Sequence, residues 1–213
     1  MSAGIHPLAS VIAAVARGIS GVQVRWAGCR PEVKQRIYFA NHTSHLDFVV
    51  LWSALPSEVR KQTRPVAAQD YWEKGVKAYL AQKVFRAVLV HRGGNREEAR
   101  AAACTVIDRL AEAMGDTESL ILFPEGTRGT GETIAPFRSG LYYLAKRRPE
   151  VELVPAYLEN LNRILPKGEV LPVPLVSLLT FGVPLHVGET EDKRGFLERA
   201  SAALCTLRRK GES

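Results

Sequence analysis

Short apolar runs typical of buried strands alternate with helical patterns along most of the chain, and this alternation constrains the fold more than any other feature. Strands that alternate with helices pair in parallel, and the helices cover both faces of the sheet. The sequence therefore predicts a single-domain layered α/β sandwich with a largely parallel sheet flanked by helices. The predicted strands are Arg36–Ala40, Pro65–Ala68, Phe85–His91, Ser119–Phe123, Leu153–Leu158 and Leu175–Phe181. The predicted helices are Leu8–Ala16, Phe48–Leu55, Asn95–Met114, Ser139–Arg148 and Glu191–Arg209.

The length of the chain, 213 residues, suits one domain, and no segment has the composition of a linker. We expect residues 1–213 to form a single domain, in which residues 1–30 are an N-terminal helical segment and Gly18 ends the predicted helix Leu8–Ala16. That segment is a candidate anchor at a membrane surface, and it could equally pack on the core. Its apolar run, Pro7–Ala16, is shorter than the roughly 20 residues that cross a bilayer.

The chain is basic, with a formal net charge of +7 and an isoelectric point near 9.5. This charge favours an anionic partner: nucleic acid, an anionic bilayer, or an acidic carrier or substrate. The sequence contains no nucleic-acid-binding motif, so we expect no nucleic-acid partner. Three cysteines lie far apart without C-x-x-C spacing, which argues against a disulfide framework or a zinc site and favours a reducing cytosol.

A polar turn with two histidines and an aspartate separates two apolar runs in the segment FANHTSHLDFVV, residues 39–50. A neutral imidazole is the commonest general base near neutral pH, and a carboxylate on its other nitrogen orients it. Because the predicted strand ends at Ala40 and a helix follows the turn, His42 and Asp47 can meet. Two other interpretations stay open: a helix cap in which Asp47 serves the helix start, and a metal site that includes His45.

A second polar turn, in the segment ILFPEGTRG at residues 121–129, directly follows a predicted strand. Glu125 and Arg128 then lie at the carboxyl edge of the sheet, where α/β proteins bind ligands. Arginine can bind a phosphate through two parallel hydrogen bonds, and Thr127 and loop N–H groups can add others. The alternative is a polar turn in which Glu125 and Arg128 pair with each other.

The two turns together resemble the motifs of the glycerolipid acyltransferases, the family of lysophosphatidate (1-acylglycerol-3-phosphate) acyltransferases. The family's first motif is N-H-x4-D, which Asn41, His42 and Asp47 match. Its third motif is F-P-E-G-T-R, which residues 123–128 match in full. This ordered pair of motifs carries the resemblance.

Weaker matches and two departures surround these motifs. A Phe-basic-x-Gly stretch is matched at residues 137–140, a Val-Pro step at residues 154–155, and the arginine that ends the second motif by Arg92. The second motif normally opens with glycine, but Arg86 stands at that position, and His91 replaces the frequent acid before Arg92.

The resemblance implies transfer of a fatty acyl group from acyl-CoA or acyl-carrier protein to the free hydroxyl of a lysophospholipid, with 1-acylglycerol 3-phosphate as the expected acceptor. His42 is implied as the general base and Asp47 as the residue that orients it, with no metal and no cofactor besides the co-substrate. Backbone N–H groups of residues 43–45 are expected oxyanion donors, and His45 is expected to be structural. The residues implied to bind the acceptor and its phosphate are Glu125, Gly126, Thr127, Arg128 and Arg92.

The resemblance also implies a location. Because the acceptor lies in a bilayer, we expect a cytoplasmic protein bound peripherally to the inner face of the cell membrane. The expected partners are the lysophospholipid, acyl-CoA or acyl-carrier protein, and an anionic membrane surface. The alternatives are an acyltransferase that acts on another lyso-lipid or on glycerol 3-phosphate, a metal-dependent hydrolase, and a non-catalytic lipid-binding module.

Overall fold

The structure is a computed structural model that describes residues 7–44, 46–72, 74–90, 96–131, 133–160 and 177–208. Its strands are β1 (Gln23–Trp26), β2 (Arg36–Ala40), β3 (Thr63–Ala68), β4 (Val88–Val90), β5 (Ser119–Leu122), β6 (Glu152–Glu159) and β7 (Leu178–Phe181). Its helices are α1 (Pro7–Ser20), α2 (Asp47–Ala54), α3 (Ser57–Lys61), α4 (Gln69–Trp72), α5 (Gly75–Tyr79), α6 (Arg96–Met114), α7 (Gly140–Arg147) and α8 (Lys193–Cys205). A π-helical turn, Leu80–Val84, directly follows α5.

The strands of the described residues form one seven-stranded sheet in the order β1-β7-β6-β2-β5-β3-β4. The five strands from β6 to β4 in this order are parallel to one another. β7 runs antiparallel to β6, and β1 runs parallel to β7. The predicted α/β sandwich with a largely parallel sheet is therefore confirmed. Parallel pairing brings the carboxyl ends of the neighbouring strands β2 and β5 to one edge of the sheet.

β2 lies inside the sheet, and all five of its side chains are buried. Since successive residues of a strand point to opposite faces, Tyr38 and Ala40 join the apolar layer formed with α1 and α2. Ile37 and Phe39 join the layer formed with α6, α7 and α8. Burial on both faces fixes the path of β2, and therefore the place from which the His42 turn starts.

The predicted bounds of the elements differ most from the structure around β4. Phe85–His91 was predicted as one strand, but Phe85 closes the π-helical turn, and of the described residues in this range Val88–Val90 pair with β3. A short apolar run does not distinguish a buried helical turn from a strand. β1 lies within the segment 1–30 that was expected to be helical, and α1 continues past Gly18 to Ser20. The predicted element ends at His91, Asn95, Leu175 and Arg209 lie outside the described residues.

α1 packs against α2 with Ala9 and Ala13 buried between them. Its other side exposes a stripe of apolar side chains whose spacing of three and four residues aligns them along one face. The members of this stripe are Leu8, Val11, Val15 and Ile19. None of the helices in the described part of the chain has the length and apolar character that crossing a bilayer requires.

Arg86 has a left-handed backbone conformation, with φ of 52°. Glycine adopts this conformation without steric cost, which explains why a glycine suits this position in the family's second motif. The Arg86 guanidinium forms an ion pair with Glu118 and donates to the Lys61 carbonyl at 2.9 Å. The Arg86 carbonyl accepts from Arg64 Nε at 2.7 Å. These contacts hold the arginine in a conformation that the backbone alone disfavours.

Candidate active site

The first and third motifs meet at the carboxyl edge of the sheet, just beyond the last residues of β2 and β5. The His42 N–H donates to Glu125 Oε1 at 2.8 Å, and the Gly129 N–H donates to the His42 carbonyl at 2.8 Å. The His42 ring stacks on Phe123 with the ring centroids 4.4 Å apart. Two segments 83 residues apart in the sequence therefore form one site.

His42 and Asp47 are in direct contact, since His42 Nδ1 lies 2.8 Å from Asp47 Oδ2. The Asp47 side chain is fully buried, whereas 21% of the His42 side chain is exposed. A carboxylate at Nδ1 favours the tautomer that carries its proton there and leaves Nε2 as the proton acceptor. The structure thus brings together the two side chains that the sequence placed across this turn, in the geometry of an oriented general base.

Asp47 also binds the backbone of the turn that precedes it. Its Oδ2 accepts the N–H groups of Thr43 at 2.5 Å and Ser44 at 2.8 Å. Asp47 is the first residue of α2, but the N-cap residue is Leu46 and no side chain caps the helix. The carboxylate therefore binds the turn before the helix rather than the N–H groups of the helix start. The Thr43 and Ser44 N–H groups are occupied by it, so the expectation that these two groups act as oxyanion donors is wrong, whereas the N–H group of residue 45 lies outside the described residues. The Ser44 hydroxyl accepts from the Leu46 N–H at 3.2 Å, which differs from a regular capping box.

Glu125 is buried, with 3% of its surface exposed, and both of its oxygens bind backbone donors. Oε1 accepts the His42 N–H and Oε2 accepts the Ala135 N–H, each at 2.8 Å. N–H donors stabilise a buried carboxylate without a counter-ion, and Glu125 forms no ion pair with Arg128 or any other described residue. Its predicted contact with the acceptor stays a prediction, but these bonds favour a role in positioning the His42 turn.

Asn41 fixes the other end of the same turn. Its buried side-chain amide donates to the Leu158 carbonyl at 2.9 Å and accepts the Leu158 N–H at 2.8 Å. An amide side chain offers one acceptor and a donor as a peptide group does, so Asn41 extends the β2–β6 pairing beyond the strand end. The motif match identified Asn41 but did not predict this contact.

Gly126, Thr127 and Arg128 continue the turn from Glu125 towards solvent. Gly126 has a φ of 69°, which favours glycine, and both Thr127 and Arg128 are exposed. Arg128 forms no ion pair within the described part of the chain.

Two predicted positions lie outside the described residues, namely Arg92 and His45. The phosphate contact predicted for Arg92, the structural role of His45 and a metal site that includes His45 all remain predictions. Among the described residues, no group of three histidine, cysteine, aspartate or glutamate side chains is arranged to hold a metal ion.

An α/β sandwich with a His–Asp pair at the ligand edge of its sheet has the arrangement of an enzyme that activates a hydroxyl or water. The chain belongs to the acyltransferase family, because the family model described as Acyltransferase matches residues 22–159, well over half of the chain. The resemblance to glycerolipid acyltransferases drawn from the two motifs is therefore confirmed.

Individual relatives agree with this assignment. The chain is 28% identical over 160 residues to the 1-acyl-sn-glycerol-3-phosphate acyltransferase of Limnanthes douglasii, covering 74% of this chain and 53% of that protein. It is 26% identical over 152 residues to the 1-acyl-sn-glycerol-3-phosphate acyltransferase alpha of Homo sapiens, covering 70% and 49%. The chain thus spans about half the length of the curated relatives it matches.

The fold is shared with a solved structure. The crystal structure of the 1-acyl-sn-glycerophosphate (LPA) acyltransferase PlsC from Thermotoga maritima matches with a TM-score of 0.69. The match covers 93% of this chain and 78% of that chain at 17% identity, which supports the fold class.

Proposed function

We propose that this chain transfers a fatty acyl group from acyl-CoA or acyl-carrier protein to the free hydroxyl of 1-acylglycerol 3-phosphate, which gives phosphatidate. The observation that carries the proposal is the His42–Asp47 pair, held against the Phe123–Arg128 turn. Membership of the acyltransferase family supports the reaction class, and the names of the relatives support the acceptor.

In the proposed reaction, His42 Nε2 removes the proton of the acceptor hydroxyl as the hydroxyl oxygen attacks the thioester carbonyl carbon. The new C–O bond forms, the C–S bond breaks, and the proton on the imidazolium passes to the leaving thiolate. The Asp47 carboxylate stabilises the imidazolium and keeps the ring in the required orientation. The reaction needs no covalent acyl-enzyme.

We assign the phosphate of the acceptor to Arg128, with Gly126 and Thr127 of the same turn beside it. The exposed guanidinium of Arg128 and its lack of an ion pair among the described residues support this assignment. Arg92 is proposed as a further phosphate contact. Glu125 is proposed to position the His42 turn, because its two oxygens are bound to backbone donors.

We propose that the chain works in the cytoplasm and binds the inner face of the membrane through the exposed stripe of α1, with its net positive charge adding attraction to anionic lipid. Flotation with vesicles that contain anionic lipid tests this. The double variant Val11→Asp/Val15→Asp should lose most vesicle binding, whereas Val33→Asp, which alters an exposed valine outside α1, should keep it. Equal binding by both variants would contradict the proposal.

The decisive test of function offers labelled acyl-CoA and acyl-carrier protein with a panel of acceptors, and identifies each product by mass. We expect the highest kcat/KM with lysophosphatidate and a product with the mass of phosphatidate. A higher kcat/KM with another lysolipid or with glycerol 3-phosphate would reassign the acceptor. Thioester or ester hydrolysis that a chelator abolishes would indicate a metal-dependent hydrolase, and lipid binding without turnover would indicate a non-catalytic module.

A further inference from the structure

The side chain of Arg138 lies across Gly126, in the space that a side chain at position 126 would occupy. A Cβ added to Gly126 would lie 2.7 Å from Arg138 Cδ and 3.1 Å from Cζ, and closer still to Nε. The Arg138 N–H donates to the Pro124 carbonyl at 2.8 Å, and Nε donates to the Glu125 carbonyl at 3.3 Å. The stem of Arg138 is therefore held on the turn that carries Arg128.

Arg138 is an exposed residue, and within the described ranges it has no acidic partner. The nearest carboxylate along this turn, Glu125, directs both oxygens to backbone N–H groups. Arg128 is carried by this turn and Arg138 packs across it, and neither has an ion pair among the described residues.

The Arg138 side chain is partly ordered before an anion binds. Binding through a long side chain normally costs the entropy of fixing its rotatable bonds, and contact with Gly126 already restricts the Arg138 stem. A guanidinium presents parallel N–H donors that match the oxygens of a phosphate. Two guanidinium groups can bind separate oxygens of one dianionic phosphomonoester.

We propose that Arg138 is a phosphate-binding residue that acts together with Arg128 on a substrate of the reaction. The proposal rests on the proposed function for the identity of that substrate, and the phosphomonoester of the lysophospholipid is the group it fits. The phosphates of coenzyme A offer the same chemistry, so the experiments separate acceptor from donor. Gly126 then has two roles, since it permits the positive φ and leaves room for Arg138.

The first test does not depend on catalysis. Titration of sn-glycerol 3-phosphate, followed by NMR, measures its affinity for the wild type, Arg138→Gln, Arg138→Lys and Arg25→Gln. Arg25 is an exposed arginine on the edge strand β1, so Arg25→Gln removes the same charge away from the site. We expect about tenfold weaker binding for Arg138→Gln, an intermediate loss for Arg138→Lys and no change for Arg25→Gln. No binding by the wild type, or equal binding by wild type and Arg138→Gln, would overturn the proposal.

The second test separates acceptor from donor. The ratio of kcat/KM for lysophosphatidate over monoacylglycerol should fall about tenfold in Arg138→Gln if the residue binds the acceptor phosphate. A fall instead in the ratio for acyl-CoA over the acyl thioester of N-acetylcysteamine would support phosphate binding on the donor. Unchanged values of both ratios would overturn the proposal. If the wild type transferred no acyl group, the proposed function would be wrong. The titration with sn-glycerol 3-phosphate would still show whether Arg138 binds a phosphate.

Discussion

Acidic side chains at the two ends of the parallel strands bind different kinds of partner. At the amino ends, Glu152 binds Arg36 at 2.9 Å and also pairs with Lys34, and Glu118 pairs with Arg86. At the carboxyl ends, the buried carboxylates of Asp47 and Glu125 bind backbone N–H groups instead of arginine or lysine. Among the described residues, Lys34, Arg36 and Arg86 at the amino ends are therefore in ion pairs, whereas Arg128 and Arg138 at the carboxyl ends are in none.

This difference has a functional consequence. Burial of a carboxylate costs desolvation free energy, which either a nearby cation or several N–H donors can offset. Because backbone donors compensate Asp47 and Glu125, the arginines of the same edge, Arg128 and Arg138, are not drawn into ion pairs with them. On the proposed function, this leaves the positive charge of that edge for a ligand, while Asp47 fixes the orientation of His42. Variants at the two ends should accordingly affect different quantities.

Among the variants that test this difference between the two ends, Asp47→Asn should have the largest effect. Among the described residues, the Asp47 side chain makes three hydrogen bonds, all through Oδ2, and Oδ1 is buried without a partner. An asparagine oxygen at the Oδ2 position can keep all three bonds, but its NH₂ at the Oδ1 position would be buried without an acceptor. The variant therefore removes the negative charge and also costs about 1–3 kcal/mol of stability. We expect kcat to fall by a factor on the order of 100 to 1,000, because the imidazolium loses its counter-charge.

Steady-state kinetics and the circular dichroism spectrum of Asp47→Asn provide the measurement. A kcat near that of the wild type in a folded protein would show that the carboxylate acts only through geometry. The Asp47 carboxylate would then act as a neutral hydrogen-bond acceptor does. Its negative charge would have no part in catalysis.

Glu125→Gln should have a smaller effect on the rate. Unlike Asp47, Glu125 uses both oxygens as acceptors, so the glutamine NH₂ must face either the His42 or the Ala135 N–H. A buried mismatch of this kind costs about 1–3 kcal/mol of stability. We expect kcat to fall about tenfold as the His42 turn loosens, with little change in the KM for the acceptor. A large rise in that KM at an unchanged kcat would instead place Glu125 in contact with the acceptor.

At the other end of the sheet, Glu152→Gln should change stability and leave acyl transfer unaffected. Burial raises the pKa of Glu152, but hydrogen bonds from Lys34 and Arg36 outweigh that effect and hold the pKa below its usual range. The folded-state pKa is thus below that of the unfolded chain, so Glu152 contributes stability above about pH 4.3, and this contribution is lost as the pH falls.

Chemical denaturation at pH 7 and at lower pH tests this expectation for Glu152. Glu152→Gln should reduce the unfolding free energy by about 1–3 kcal/mol at pH 7, because it weakens the compensation of the buried Arg36, and by less in acid. A loss that stays constant with pH would show that the charge of Glu152 is not what stabilises this end.

The smallest effect is predicted at Arg86. Arg86→Gly removes the strain of the left-handed backbone conformation, but it loses the ion pair with Glu118 and raises the conformational entropy of the unfolded chain. Because these effects oppose each other, the unfolding free energy should change by less than about 1 kcal/mol. Arg86→Ala loses the same pair and keeps the strain. It should therefore be less stable than Arg86→Gly by about 1 kcal/mol. If the alanine variant were the more stable of the two, strain at this position would be negligible.

Much of the fold was predictable from the sequence, because strands buried on both faces, such as β2 and β5, appear as continuous apolar runs. The motif spacing also identified His42 and Asp47. The partners of Glu125, Asn41 and Arg138 were not predictable in the same way. Each of these side chains binds backbone groups. Because a contact with the backbone requires no particular residue type at the partner position, the sequence does not reveal it. The π-helical turn before β4 was missed because its apolar residues also fit a strand.

The central claim is that His42 acts as the general base for acyl transfer to a lysophospholipid. The most direct test mixes labelled acyl donor and lysophosphatidate with the wild type and with His42→Ala, and measures phosphatidate by mass spectrometry over a single turnover. We predict phosphatidate from the wild type, and a rate reduced by a factor on the order of 100 to 10,000 in a folded His42→Ala protein. Phosphatidate formed at a similar rate by folded His42→Ala would contradict the claim.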